Sequence, residues 1–292
     1  MEIIFLNKFQ ASKILAKEDD FIKALSPFDR SARLKTEYKV STAAFLDYIS
    51  KQTLNFGAFE SSEIESILKN LKSKFSQYNI NLPKFFFFIK TSGLEEGNAA
   101  YCRGNAIILP QTIINAPYQL KNIIIHEIFH IFSKNNPKKQ RELYNSIGFF
   151  SCPELKFPDE LINLKITNPD APFNNSFMEV SFNDENFKII PILYSKMPYN
   201  KKKGGEFFDY LQFRLLKIEV SNGSSVPIYD KDKLSLFTTE NFPEFFLKIG
   251  MNTEYIIHPE EILADNFVLL INDSKNIKSL KILKLISEIL IS

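Results

Sequence analysis

The segment His126-Glu127-Ile128-Phe129-His130 sets two imidazoles four residues apart. On a helix that spacing brings both rings to one face, within reach of a single metal ion. Zinc suits neutral imidazole, and a catalytic zinc site takes three protein ligands while keeping a fourth position for water. Glu127, next to the first ring, is a carboxylate able to accept a proton from such a water. The bland alternative is two ordinary histidines on an apolar helix. At this chain's His and Glu content the five-residue pattern arises by chance in roughly two of every thousand such sequences, to be set against the false-positive risk of any motif. The setting argues against accident: Ile124, Ile125, Ile128, Phe129 and Phe132 would bury the helix, and buried imidazoles without partners are costly.

A third ligand has to come from elsewhere, because the remaining histidine, His258, lies neither three nor six residues beyond His130. The segment from His258 to Phe267 reads as a helix start in which Glu261 and Asp265 share a face at i, i+4. Ile262, Phe267 and Leu270 are then free to face a core. Two carboxylates side by side on a largely apolar helix suit a cation. Glu260 is adjacent and equally acidic, so it competes with Glu261 for the metal; the Asp four residues on favours Glu261. A helix N-terminus stocked with acid to match the helix dipole would explain the same residues without a metal. His258 stands one turn before Glu261, where a fourth ligand would close the site, so a role near substrate or as a cap fits it better.

On these two segments the chain resembles the gluzincin metallopeptidases, the thermolysin-like group, in which HExxH is completed by a Glu from a later helix in an ExxxD pattern, here Glu261-Ile-Leu-Ala-Asp265. The resemblance implies zinc held by His126, His130 and Glu261, with Asp265 orienting a ligand imidazole. It also implies Glu127 as general base and a peptide or protein as substrate. Asn98-Ala99-Ala100-Tyr101 resembles the edge strand on which such peptidases lay an extended substrate. Ala99, Ala100, Tyr101 and His258 are therefore the expected substrate contacts, although a plain structural hairpin accounts for the same short motif. For the oxyanion, Tyr194, Tyr199, Tyr210, Arg214 and His258 are chemically able donors. Asn168-Pro169-Asp170 reads as a turn. The rival functions are a catalytically silent zincin-fold binding protein, against which an intact Glu127 speaks, and another zinc hydrolase.

The elements that must position these groups are legible in part. Residues 1 to about 80 read as helical, and the unbroken apolar run around Phe85 to Ile89 reads as a strand buried on both faces. A hairpin turns at Arg103-Gly104-Asn105. Asn115 and Pro117 open the HExxH helix, and Ser133 to Pro137 stop it. Residues 138 to 235 mix short elements and Pro-containing loops in no readable order. Pro243 to Ile249, His258 to about Ile271 and Lys278 to Leu290 read as helices. The expected class is α+β: a zincin-like single domain of two lobes over residues 1–292, with a small mixed sheet, an active-site helix and a mainly helical second lobe. Its parts are a helical N-terminal region (about 1–80), the sheet and HExxH helix (about 81–137), and a lobe carrying the third ligand (about 138–292).

Composition narrows the class of partner. With 292 residues, 45% hydrophobic and 24% charged, the chain has the balance of an ordinary globular protein. Lys plus Arg number 36 against 34 Asp plus Glu, which gives no electrostatic case for nucleic acid. The two cysteines make no disulfide framework, which suits a reducing compartment. The N-terminus lacks a basic stretch followed by a long apolar one, and no uncharged apolar run reaches the roughly 18 residues of a membrane span. The expected location is cytoplasmic.

Overall fold

The computed structural model describes residues 2–182, 185–221 and 223–292. The chain opens with a strand, β1 (Glu2–Phe5), followed by four short helices, α1 (Lys8–Leu15), α2 (Asp20–Ala24), α3 (Pro27–Arg33) and α4 (Thr42–Ser50). A two-residue strand β2 (Thr53–Leu54) and the long α5 (Ala58–Gln77) complete this region. The helices are short because the sequence restarts them. Asn7, Asp19, Ser26 and Ser41 each accept a backbone N–H from the first turn of the helix that follows, the usual device for starting a helix. The helical reading of residues 1–80 therefore needs one amendment, since β1 and β2 belong to a sheet.

That sheet is built on β3 (Phe85–Thr91) and the hairpin β4 (Tyr101–Arg103) and β5 (Ala106–Pro110). β3 lies between β1 and β5 and is parallel to both; β4 is the antiparallel edge beyond β5, and β2 pairs with the end of β3. Arg103 pairs with Ala106 across a two-residue turn in which Gly104 has φ +57°, a backbone that glycine adopts without steric cost. Both faces of the sheet are covered. Phe86, Phe88, Ile107 and Leu109 face one core, while Ile89, Ala106 and Ile108 face a second one shared with α1, α2 and α4. A strand buried on both sides has no polar alternation, which is why β3 is an unbroken apolar run.

From the sheet the chain passes through α6 (Gln111–Ile114) into α7 (Pro117–Asn135), then α8 (Pro137–Ser146). The second lobe departs from the expectation that it is mainly helical. β6 (Phe149–Ser151), the short α9 (Asp159–Ile162), β7 (Ser176–Phe182), β8 (Glu185–Ser195), β9 (Leu211–Ser221) and β10 (Ser224–Pro227) follow in sequence. The strands form an antiparallel sheet in the order β10-β9-β8-β7-β6, with Leu236–Phe237 also pairing on β9. Pro191 hides β8 from a sequence reading, because proline cannot donate to a ladder. It is tolerated here because β7 pairs with β8 from Phe182 only as far as Met178, opposite Ile189, leaving Pro191 paired to β9 alone. Three helices end the chain: α10 (Pro243–Ile249), α11 (Pro259–Ile271) and α12 (Leu280–Ile291). One buried cluster links α5, α7, α11 and α12 with the first sheet and reaches Met178, Ile189 and Leu215 in the second. Among the described residues no helix is long and apolar enough to cross a membrane.

Candidate metal centre

Proline at the first position starts α7, where its fixed φ suits a helix and its missing N–H costs nothing. Leu120, Ile124, Ile125, Ile128, Phe129 and Ile131 are fully buried, so the rotation of α7 is fixed by packing. Truncating a ring such as Phe129 would cost about 3–5 kcal/mol. That rotation turns His126 and His130 towards α11, ring centroids 4.7 Å apart. α11 is set by His258 at its N-cap, whose Nδ1 accepts the Glu260 N–H at 3.1 Å, with Pro259 in its first turn. The helix presents Glu260, Glu261 and Asp265 to the two imidazoles.

Each imidazole has two carboxylate neighbours, one per nitrogen. Glu261 Oε2 lies 3.0 Å from His126 Nε2 and 3.6 Å from His130 Nε2. On the far side of each ring, His126 Nδ1 meets Asp265 Oδ1 at 3.0 Å and His130 Nδ1 meets Glu260 Oε1 at 3.1 Å. These outer carboxylates are held in turn. Glu260 Oε2 accepts from Ser133 Oγ at 2.8 Å and Tyr144 OH at 2.6 Å, and Asp265 Oδ2 accepts from the Thr253 hydroxyl. Glu261 Oε1 accepts from Asn168 Nδ2 at 2.6 Å, leaving Oε2 for the imidazoles. Glu260 and Glu261, rivals in sequence, have divided the work: Glu261 faces both Nε2 atoms, and Glu260 backs His130.

This donor set fits a divalent cation. His130 Nε2 is buried and has no hydrogen-bond partner among the described residues. With Nδ1–H donating to Glu260, the neutral ring turns a bare lone pair towards a carboxylate oxygen. Two acceptors facing each other across 3.6 Å are reconciled by a proton or by a metal ion. Ligand atoms around a tetrahedral zinc stand about 3.3 Å apart, close to the two Nε2–Oε2 separations; ligand atoms of His126, Glu127 and His130 also lie within 4.8 Å of one another. The electrostatics run the same way. Burial alone would lower the His126 pKa, but hydrogen bonds to Asp265 and Glu261 override it and raise it to about 10. Burial opposes the charged form of His130 too, and Asp170 and Glu261 outweigh it. Positive charge is what these carboxylates call for.

Glu127 lies between the two histidines on α7 and is 3% exposed. Burial, and then the nearby Asp170 carboxylate, raise its pKa to about 7. Its Oε2 accepts from the Cys102 thiol at 3.2 Å. His126, Glu127 and Glu261 line a cleft of about 520 Å³ whose lining also includes the apolar Ile166, Leu193 and Phe207.

The other expected residues divide. Ala99 and Ala100, just ahead of the edge strand β4, line the cleft. Tyr101 does not, and its expected substrate contact is corrected: at 2% exposure it packs into the core beneath α1 and α4, since alternation along β4 turns it away. His258 is not in this cleft lining either, and of the two roles read for it the structure shows the cap. It opens onto a separate cavity of about 490 Å³ beside Tyr144 and Ser176 and serves as the cap of α11, and burial takes its pKa down to about 4. Tyr194, Tyr199, Tyr210 and Arg214 are absent from the cleft lining, which contains Tyr255 instead, its ring 6.5 Å from that of His126.

Asn168-Pro169-Asp170 is a turn, Asp170 N–H donating to Asn168 Oδ1 at 2.9 Å, but it is more than a turn. Asn168 holds Glu261, and Asp170 Oδ1 accepts the Cys102 N–H at 2.9 Å. Donor atoms of His130, Asp170 and Glu261 lie within 4.8 Å of one another, as do those of Cys102, Glu127 and Asp170. The available signal was three polar or rigid residues amid weakly ordered sequence; the path of the loop, which decides their role, is tertiary. A scan against protein-family models, a search of curated proteins and a search of solved structures each return no match.

Proposed function

We propose that this chain is a zinc-dependent peptidase of zincin-like architecture with a gluzincin-type ligand set, His126, His130 and Glu261. The observation that carries the reading is the facing of His126 Nε2 and His130 Nε2 on Glu261 Oε2, at 3.0 and 3.6 Å, while each ring is backed by its own carboxylate. Outer carboxylates fix the tautomer and direction of ligand imidazoles. Two imidazoles and one carboxylate are a catalytic zinc donor set, leaving a fourth position open.

Zinc, when bound, supplies Lewis acidity towards water and the scissile carbonyl. The chain's own residues supply the rest. Glu127 takes a proton from the attacking water as the new C–O bond forms, and delivers it to the amine nitrogen as the C–N bond breaks. The Cys102 thiol, donating to Glu127 Oε2, holds the base in place. Tyr255 brings a phenol donor to the cleft for the negative charge that develops on the carbonyl oxygen. Ala99 and Ala100 offer main chain beside the cleft for an extended peptide.

Glu127→Gln tests the assignment. It keeps side-chain size and removes the base, so zinc content and melting temperature should be retained while hydrolysis falls by about 10²- to 10⁴-fold. A substrate is found by comparing the peptides that wild type and variant release from a complex proteome digest. If wild type cuts nothing that the variant spares, the chain is a binding protein rather than a peptidase.

A further inference from the structure

Arg33, at the end of α3, has a fully buried side chain. Its guanidinium has five N–H donors, and five acceptors meet them. Nε and one Nη2 hydrogen bond to the two oxygens of Glu96, the former at 2.7 Å. Nη1 donates to Asp29 Oδ1 at 2.7 Å and to the Asp29 carbonyl at 3.3 Å. Nη2 also reaches the Thr167 carbonyl at 3.3 Å. The Arg33 Cζ lies over the Phe207 ring, 4.2 Å from its centroid.

Those partners belong to separate segments of the chain that meet at Arg33. Glu96 belongs to the β3–β4 connection, ahead of Ala99 and Ala100, and Glu96 and Thr167 both line the cleft. Asp29 repeats the link to Thr167, accepting its N–H at 3.1 Å and its hydroxyl at 2.8 Å. Ser26 Oγ holds the Lys165 carbonyl at 2.6 Å. The next residue after Thr167 is Asn168, whose amide holds Glu261. A buried ion network is weak as a source of stability, because apolar residues of similar volume do as well. What a planar fork with every donor engaged provides is a fixed separation between the groups it joins.

We propose that Arg33 is a positioning residue of the metal centre. It ties the Thr167 backbone to Glu96 and Asp29, and so sets Asn168 at the height at which its amide aims Glu261 Oε2 at the two histidines. The N-terminal helices thereby take part in the site without touching it. This inference rests on the zinc reading above.

The test is a double-mutant cycle on zinc affinity, measured by competition with a chromophoric chelator well below the melting temperature. Arg33→Lys keeps the charge and loses the fork. Arg33→Lys and Asn168→Ala should each weaken zinc binding by about tenfold, and the double variant by no more than either alone, because they act along one path. Circular dichroism establishes that each variant is folded. A merely structural Arg33 would lower the melting temperature and leave zinc affinity of the folded protein unchanged, which overturns the proposal. Additive losses, near a hundredfold in the double variant, overturn it as well. If Arg33→Lys does not fold, Thr167→Val, which deletes the hydroxyl held by Asp29, replaces it in the cycle: about threefold weaker binding in the wild-type background and none in Asn168→Ala is expected, and equal losses in both overturn it. A wild-type protein that takes up no zinc overturns the metallopeptidase reading itself, an outcome distinct from all of these.

Discussion

The buried polar cluster around Arg33 and the one between α7 and α11 are completed differently. Around Arg33 every guanidinium N–H has an acceptor, and Asp29 and Glu96 have their donors. Between α7 and α11 the outer contacts are equally complete, yet the centre is not: His130 Nε2 has no hydrogen-bond partner among the described residues and faces a carboxylate. Both clusters carry buried charge, so burial does not separate them. What does is whether the protein alone closes the hydrogen bonding. A closed cluster fixes geometry, and an open one marks where something else belongs. On the readings proposed above, Arg33 serves the first purpose and the histidine pair the second.

The largest effect outside activity should come from opening the closed cluster. Arg33→Met leaves Asp29 and Glu96 buried without a cation, which should cost about 3–5 kcal/mol. The loss should appear in metal-free protein, by urea denaturation. A cost under about 1 kcal/mol there would mean that the Arg33 network is not the self-sufficient cluster described.

A third buried group tests the rule from the other side. Glu95 is 1% exposed, and neither carboxylate oxygen has a hydrogen-bond partner among the described residues. Burial raises its pKa from 4.5 to about 7. The folded state therefore holds a proton that the unfolded chain releases. Its stability is fully present below about pH 4.5 and declines as pH rises towards and through 7, by on the order of 3 kcal/mol. Glu95→Gln should remove that decline, so the variant should be more stable than wild type at pH 8 and similar at pH 4. Parallel profiles would show that Glu95 finds a partner in solution.

How much of this was legible in the chain depends on the range of the interactions concerned. α7 and α11 were readable because their signals are local: proline in the first turn, an apolar stripe, and pairs at i, i+4. Those same pairs brought His126, His130, Glu261 and Asp265 into consideration together. The β4–β5 hairpin declared itself through Gly104. The second sheet did not, because Pro191 in β8 reads as a strand breaker until the early end of its pairing with β7 is known. The role of Asn168, and the link from Arg33 to Thr167 across 134 residues, leave no spacing at all. Tyr101 was misplaced because a strand's alternation depends on which face the cleft occupies, and β4 is buried on both.

The open cluster should respond to metal. Zinc at about a hundred times its dissociation constant should stabilise wild type by about 2.7 kcal/mol. Glu261→Ala, which removes the oxygen that both Nε2 atoms face, should abolish that gain while Glu260→Ala should only reduce it. A Glu260→Ala protein that no longer responds to zinc, beside a Glu261→Ala protein that does, would exchange the two assignments.

The smallest expected effect separates the two outer carboxylates. Both back an imidazole at nearly the same distance, 3.0 Å for Asp265 and 3.1 Å for Glu260. Their surroundings differ: the Asp265 side chain is 33% exposed and that of Glu260 is 1% exposed. Loss of such a partner usually costs about 10- to 100-fold in metal affinity. At Asp265, water can take over the hydrogen bond to His126, so Asp265→Asn should lie near the lower figure. Glu260, 1% exposed, is out of reach of bulk water, and the amide of Glu260→Gln must also satisfy Ser133 and Tyr144. Its loss should lie near the upper figure and be accompanied by a lower melting temperature in metal-free protein, because buried polar groups left poorly matched are costly in the folded state. Chelator competition on the two variants decides the order. If Asp265→Asn weakens zinc binding more than Glu260→Gln does, burial is not what gives the outer carboxylate its strength, and the direct electrostatic pull of Asp265 on His126 takes its place.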